Sequence, residues 1–269
     1  HELLIMKIIL KNANEVVTYC RNKFKVYKNN SILIDTGKII DILPNKKSKN
    51  IKNARVIDLS GHIVLPGFID PHTHLAFAGF RENEFIERLT GTSYKKITKS
   101  GRGINVTVSG TRRAKREELV KTSQAYINNM ITYGVTTIEA KSGYGLDFRT
   151  EVKQLEVLND LKRKNEIDIV PTYLGAHIVP SEYSKKRTEY INLIIEKVLP
   201  FIKKNNLSTF CDVWCEDIAF NHKESTIILK TARDLGFKLK MHTNELSFYK
   251  GIKVGARVGV TSADHLTYT

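Results

Sequence analysis

The sequence predicts an α/β fold: a (β/α)8 barrel of the TIM type over residues 65–269, incomplete at about six of eight strands, preceded by a small β-rich domain over residues 1–64. Three observations predict it. From about residue 65 short apolar runs alternate with amphipathic helical patterns, which places helices outside a parallel sheet. Before that point no helical period appears. Five of the eight histidines, His72, His74, His177, His242 and His265, fall at the C-terminal ends of the predicted strands, the edge on which such barrels gather their functional side chains.

The N-terminal part reads as strands Ile8 to Leu10, Glu15 to Thr18, Ile32 to Ile34, Lys38 to Leu43 and Val56 to Leu59. Asp35-Thr36-Gly37 between two apolar runs signals a hairpin, because glycine takes positive φ without steric cost. The Lys- and Asn-rich stretch Pro44 to Asn53 is expected to be a solvated loop. Leu65 to Leu75 forms the first barrel strand and its end. Arg112 to Tyr133 carries Leu119, Tyr126, Ile127, Met130 and Ile131 at helical spacings, and Gly134 supplies the left-handed stop. Val135 to Ala140 is the second strand; Thr150 is the expected N-cap of a helix whose Val152, Leu155, Leu158 and Leu161 share a face. Next come strand Ile167 to Leu174, helix Tyr183 to Ile202 and strand Phe210 to Trp214. A helix Glu224 to Leu235, ended by Gly236, leads into strand Lys238 to His242; a short helix Phe248 to Val258 leads into strand Val260 to His265. A closed barrel has eight strands in roughly 250 residues. The expectation is therefore an open sheet or part of a longer chain.

Composition narrows the function classes. At 41% hydrophobic residues in 269, the chain can bury a large core. The balance of 43 Lys and Arg against 28 Asp and Glu, net +15, invites an anionic partner. The charge is dispersed in short groups such as Lys46-Lys47, Lys95-Lys96, Arg112-Arg113 and Lys185-Lys186-Arg187, with no aromatic-interleaved basic stripe, so no nucleic-acid partner is expected. The run Leu3 to Leu10 is broken by Lys7 and too short to span a membrane. Cys20, Cys211 and Cys215 form no disulfide framework or zinc spacing, which points to a reducing, cytoplasmic setting with Cys211 and Cys215 as small buried hydrophobes. Met6 reads as a natural start, with His1 to Ile5 an extension.

The chemistry begins at His72 and His74. Two apart on a strand, they project to the same side, as does Asp70, placed to accept the other ring N–H of a ligating histidine. Strand ends add Glu139 to Tyr144, His177, Glu216, His242 with Glu245 three residues on, and Asp264-His265. Three neutral imidazoles suit one divalent metal ion, Zn²⁺ or Fe²⁺, that leaves a position for water and lowers its pKa towards ~7. A carboxylate such as Glu245 would carry a proton to a leaving nitrogen. Asp264 either fixes the tautomer of His265 or has a plain capping role.

These residues resemble the amidohydrolase superfamily. Pro66 to His74 is similar to its first metal motif. The runs Phe77 to Phe85, Gly101 to Ile104, Glu139 to Gly145, Leu174 to His177 and Ser262 to Leu266 resemble one member that acts in histidine degradation. The resemblance implies hydrolytic opening of 4-imidazolone-5-propanoate to N-formimidoyl-L-glutamate. It implies metal ligation by His72, His74 and His242, proton transfer by Glu245 with His265 assisting, and substrate contacts from Arg81, Tyr144, His177 and Glu245. A propanoate carboxylate suits a guanidinium fork and a hydroxyl, which Arg81 and Tyr144 offer; the plain alternative for Arg81 is an ion pair with Glu82 or Glu84. Tyr94 and Arg102 are further loop candidates. Gly101-Arg102-Gly103 is not expected to cradle phosphate, since it neither follows a strand nor opens a helix with the required spacing. The family's fourth ligand, an aspartate ending strand eight, lies beyond the sixth strand, so a truncated chain that binds metal weakly and turns over little is expected. A homodimer is common in such enzymes. The competing readings are another deaminase or cyclic amidase of the superfamily and a non-catalytic basic binding protein.

Overall fold

Alternating β-branched and polar residues give the first unit its sheet. A computed structural model describes residues 7–93, 96–97 and 100–269, so the expectations for Met6, His1 to Ile5 and Tyr94 lie outside the described residues. The chain divides into a unit ending at Gly67 and a unit Phe68–Thr269. In the first, β1 (Lys7–Cys20), β2 (Lys23–Asp35), β3 (Lys38–Pro44) and β4 (Ala54–Asp58) lie in the order β3-β2-β1-β4, with β5 (Ile63–Val64) also on β1. The two short runs expected before residue 20 are one 14-residue strand: a bulge between Leu10 and Ala13, with Asn12 at φ 62°, absorbs the polar interruption. Ala13, Val16 and Ile32 form this unit's small core. The hairpin turn has positive φ at both Thr36 and Gly37. The expected loop after Pro44 instead begins with a helical turn, α1 (Asn45–Ser48), pinned because Ser31 Oγ donates to Asn45 Oδ1 at 2.8 Å.

The second unit is a six-stranded parallel sheet in chain order: β6 (Phe68–Thr73), β7 (Val135–Lys141), β8 (Asp168–Ala176), β9 (Phe210–Cys215), β10 (Lys238–Thr243) and β11 (Ser262–His265). Its helices are α2 (Glu82–Leu89), α3 (Ile104–Arg113), α4 (Arg116–Thr132), α5 (Phe148–Lys164), α6 (Arg187–Asn192), α7 (Leu199–Lys204), α8 (His222–Asp234) and α9 (Ile252–Val258). Leu155, Leu158 and Leu161 of α5 pack with Ile138, Ile169, Val213 and Met241 of the strands in one core. Among the described residues no helix is long and apolar enough to cross a membrane.

Four local expectations change. The helix expected from Arg112 is two helices, because Ala114 and Lys115 are extended and Lys153 Nζ takes the carbonyls of Thr111 and Ala114 that end α3. Asp147, not Thr150, caps α5: its carboxylate accepts from Thr150 N at 2.7 Å. The helix expected from Tyr183 is a 3₁₀ turn, then α6, a π-helical stretch (Leu193–Val198) and α7, where Pro200 removes a backbone donor. Gly103, at φ 68°, does open a helix, but a carboxylate already sits there: Gly103 N donates to Glu84 Oε1 at 2.8 Å.

Candidate active site

Eight of the site residues named from the sequence line one cavity at the C-terminal ends of the strands: His72, His74 and His242; Arg81, Tyr144 and His177; Glu245 and His265. β6 carries His72, with His74 directly after it, and β10, four strands away along the sheet, carries His242. One ring nitrogen from each of His72, His74 and His242 lies within 4.8 Å of the others.

The outer nitrogens show which ring atom is available. His72 Nδ1 lies 2.9 Å from Asp264 Oδ2, His74 Nδ1 3.0 Å from the Ser142 carbonyl and His242 Nδ1 3.0 Å from Asp212 Oδ1. A carbonyl or carboxylate oxygen only accepts, so each Nδ1 carries the hydrogen and each Nε2 the lone pair. His242 Nε2 is buried without a hydrogen-bond partner. Burial, then the neighbouring His177, His242 and His72, pushes the His74 pKa far below the usual imidazole value, keeping the ring neutral. Three imidazoles that each turn Nδ1 outward to an acceptor, with an orphaned inward nitrogen on His242, fit a divalent metal ion.

A charged lattice lies beneath the rings. Lys141 Nζ, fully buried, sits 2.8 Å from Asp212, 2.8 Å from Glu139 and 3.0 Å from Asp264, and Lys240 Nζ donates to Glu139. Burial opposes the charge of Lys141, but Asp212, Glu139 and Asp264 outweigh this and hold its ammonium above the usual pKa. Burial also works against the Asp212 and Asp264 carboxylates; His242 and Lys141 for the first, His72 and Lys141 for the second, hold both well below the usual range.

Over the cavity, Glu245 Oε2 approaches His265 Nε2 at 3.5 Å. Burial, then Glu216, raises the Glu245 pKa, whereas burial, with His242 and His72, lowers His265 to about 4. Glu216 Oε2 accepts from Glu245 N at 3.0 Å and so fixes the turn after β10. His177 Nδ1 donates to the Gly143 carbonyl at 2.9 Å, its ring stacks on His74 at 5.0 Å, and burial, then His242, lowers its pKa to about 3. Arg81 lines the cavity and lies 3.7 Å from Glu84, one of the two acids of its plain alternative.

Three expectations are corrected here. Asp70 accepts from the His72 backbone N at 3.3 Å and not from its ring. Asp264 serves His72 and Lys141: its carboxylate lies 2.9 Å from His72 Nδ1 and 3.0 Å from Lys141 Nζ, while His265 pairs with Glu245. Arg102 pairs with Glu87 in the open and is not among the residues lining the cavity. Sequence reasoning gave no role to Asp212, Lys141, the Ser142 carbonyl, Trp214 or Arg88, although Lys141 and Ser142 lie in the run Glu139 to Tyr144 that it placed at a strand end. The first two left a signal: an acid inside the apolar run Phe210–Cys215, and a lysine two residues after Glu139 on the same strand face. Cys211 and Cys215 are core residues, with Cys215 raised to about 11 by burial.

A six-stranded parallel sheet with this cavity at its strand ends is the architecture of part of a (β/α)8 barrel, and comparison with known proteins narrows it. The Amidohydrolase family model matches residues 55–100. The imidazolonepropionase of Clostridium tetani is 43% identical over 97% of this chain and 65% of its own length. That of Bacillus cytotoxicus is 43% identical over 97% of the chain and 64% of its length; that of Alkaliphilus oremlandii is 46% identical over 80% and 51%. The chain thus spans slightly under two thirds of the first two relatives. An adenosine deaminase from Xanthomonas campestris with bound zinc superposes at TM-score 0.61, with 14% identity, 97% of this chain and 58% of that one covered. A 5-methylcytosine deaminase from Klebsiella pneumoniae superposes at 0.60, with 17% identity, covering 94% and 55%; both support the fold alone. The chain is thus similar to the amidohydrolase family over residues 55–100 and to these imidazolonepropionases over most of its own length.

Proposed function

We propose that this site opens the ring of 4-imidazolone-5-propanoate by hydrolysis, giving N-formimidoyl-L-glutamate. The observation that carries the reading is the convergence of the three imidazoles on a cavity that Arg81, Tyr144 and Glu245 also line. Identities of 43% to 46% with three imidazolonepropionases support the choice of substrate. His72, His74 and His242 would hold one divalent ion, Zn²⁺ or Fe²⁺. Such an ion polarises an amide carbonyl and lowers the pKa of water towards ~7.

The chain's own residues do the rest. Glu245 takes a proton from the water that attacks the ring carbonyl and passes it to the ring nitrogen as the C–N bond breaks. Its raised pKa suits a group that must both accept and release a proton near neutrality. His265, neutral at pH 7, orients that carboxylate across 3.5 Å. His177, with its hydrogen committed to Gly143, offers a lone pair to a ring N–H. The Arg81 guanidinium and the Tyr144 hydroxyl receive the propanoate carboxylate. Cytoplasmic residence and a homodimer complete the proposal, on the strength of the resemblance.

The test is loss of imidazolone absorbance when the metal-supplied protein meets 4-imidazolone-5-propanoate, beside a panel of dihydropyrimidines and purines. Turnover of the imidazolone alone supports the reading. Turnover of a purine or dihydropyrimidine in its place overturns it.

A further inference from the structure

Two of the three imidazoles depend on carboxylates that share one ammonium. Asp212 holds His242 Nδ1 and Asp264 holds His72 Nδ1, while Lys141 Nζ lies 2.8 Å from the first carboxylate and 3.0 Å from the second. Its third carboxylate, Glu139, touches no imidazole and is shared with Lys240. Asp212, His242 and Asp264 also place ligand atoms within 4.8 Å of one another, and the cation that sits against both of those carboxylates is Lys141. Two carboxylates this close repel unless a positive charge lies between them, and a buried charge stripped of its partner is strongly unfavourable.

We infer that Lys141 is a positioning residue for the metal site: its ammonium fixes Asp212 and Asp264, and through them aims the Nε2 atoms of His242 and His72 at one ion. The inference rests on reading the three imidazoles as a metal site. Charge bookkeeping agrees with it. Three carboxylates against Lys141 and Lys240 leave one net negative charge beneath the rings, which favours a divalent cation above them. Without Lys141 the aspartates must rotate apart or take up a proton, and either change releases the Nδ1 hydrogens that set the tautomers.

The experiment titrates Co²⁺ into the full chain and reads its affinity and visible absorption bands, in the wild type, Lys141→Met and Lys240→Met. Lys141→Met is expected to lose about 10- to 100-fold in affinity, the range for partners behind metal ligands, and to change the bands. Lys240→Met disturbs only the Glu139 end, so it is expected to lower the melting temperature while leaving affinity and bands near wild type. If Lys141→Met does not fold, Lys141→Gln, which keeps a donor without the charge, enters the same comparison. Wild-type affinity and bands in the folded Lys141 variant, or equal losses from the Lys240 variant, overturn the inference. If the wild type binds no Co²⁺, the metal-site reading fails instead, so the two failures are distinguishable.

Discussion

Replacing Glu151 with alanine should unlatch the loop that presents Tyr144 and the Gly143 carbonyl to the cavity. The Glu151 carboxylate is 1% exposed and accepts three backbone donors: Gly143 N at 3.1 Å, Gly145 N at 2.8 Å and Leu146 N at 2.9 Å. A hydrogen bond to a charged acceptor contributes about 1.5–3 kcal/mol, and a buried donor left unpaired costs about 1–3 kcal/mol. Three such donors, partly reclaimed by water as the loop opens, set the loss at roughly 3–5 kcal/mol, a large share of a total stability of about 5–15 kcal/mol. Urea unfolding followed by circular dichroism reads it as a lower midpoint at similar slope. Since Gly143 O also orients His177, substrate affinity should fall under conditions where the variant is still folded. A midpoint shift worth under about 0.5 kcal/mol, the usual scatter for a surface change, would refute the latch.

Glu245→Gln should leave Co²⁺ affinity intact while lowering the turnover rate by about 10²- to 10⁴-fold, the range for losing a positioned proton carrier; equal loss of metal would show the residue acting on the ion instead. Arg81→Met should raise KM for the propanoate substrate by roughly 10-fold or more with a smaller effect on kcat, measured by initial rates, because a charge-assisted pair is worth about 1.5–3 kcal/mol. The Glu224 carboxyl, which burial pushes up but Arg187 at 2.7 Å pulls down further, sits below its ordinary pKa. Its contribution is therefore present above the unfolded value near 4.5 and lost as pH falls through the folded one. Melting curves of wild type and Glu224→Gln should differ at pH 7 and converge towards pH 3; a constant gap would contradict the pairing.

Strand ends were legible in the sequence because each carries a reactive residue after an apolar run, and the structure draws His72, His74, Tyr144, His177, His242 and His265 from them into one cavity. The lattice beneath them was not. Asp212 sits between Cys211 and Val213, where periodicity reads only a buried strand, and its partner His242 is 30 residues away. The role of Asp264 was hidden because its partner, His72, is 192 residues distant, whereas local spacing offered only its sequence neighbour His265. Local spacing also hid the break at Ala114, where the carbonyls ending α3 are taken by Lys153 of a later helix. Charge and packing across the sheet decide such details, and a window along one strand does not contain them.

Metal binding tests the central claim most directly. Equilibrium dialysis against Zn²⁺ or Co²⁺, with metal and protein quantified together, should find one divalent ion per wild-type chain and at least a 10-fold weaker site in His74→Ala, whose ring is one of the three converging imidazoles. An ion bound as tightly by His74→Ala as by the wild type, or none bound by the wild type, would contradict the account.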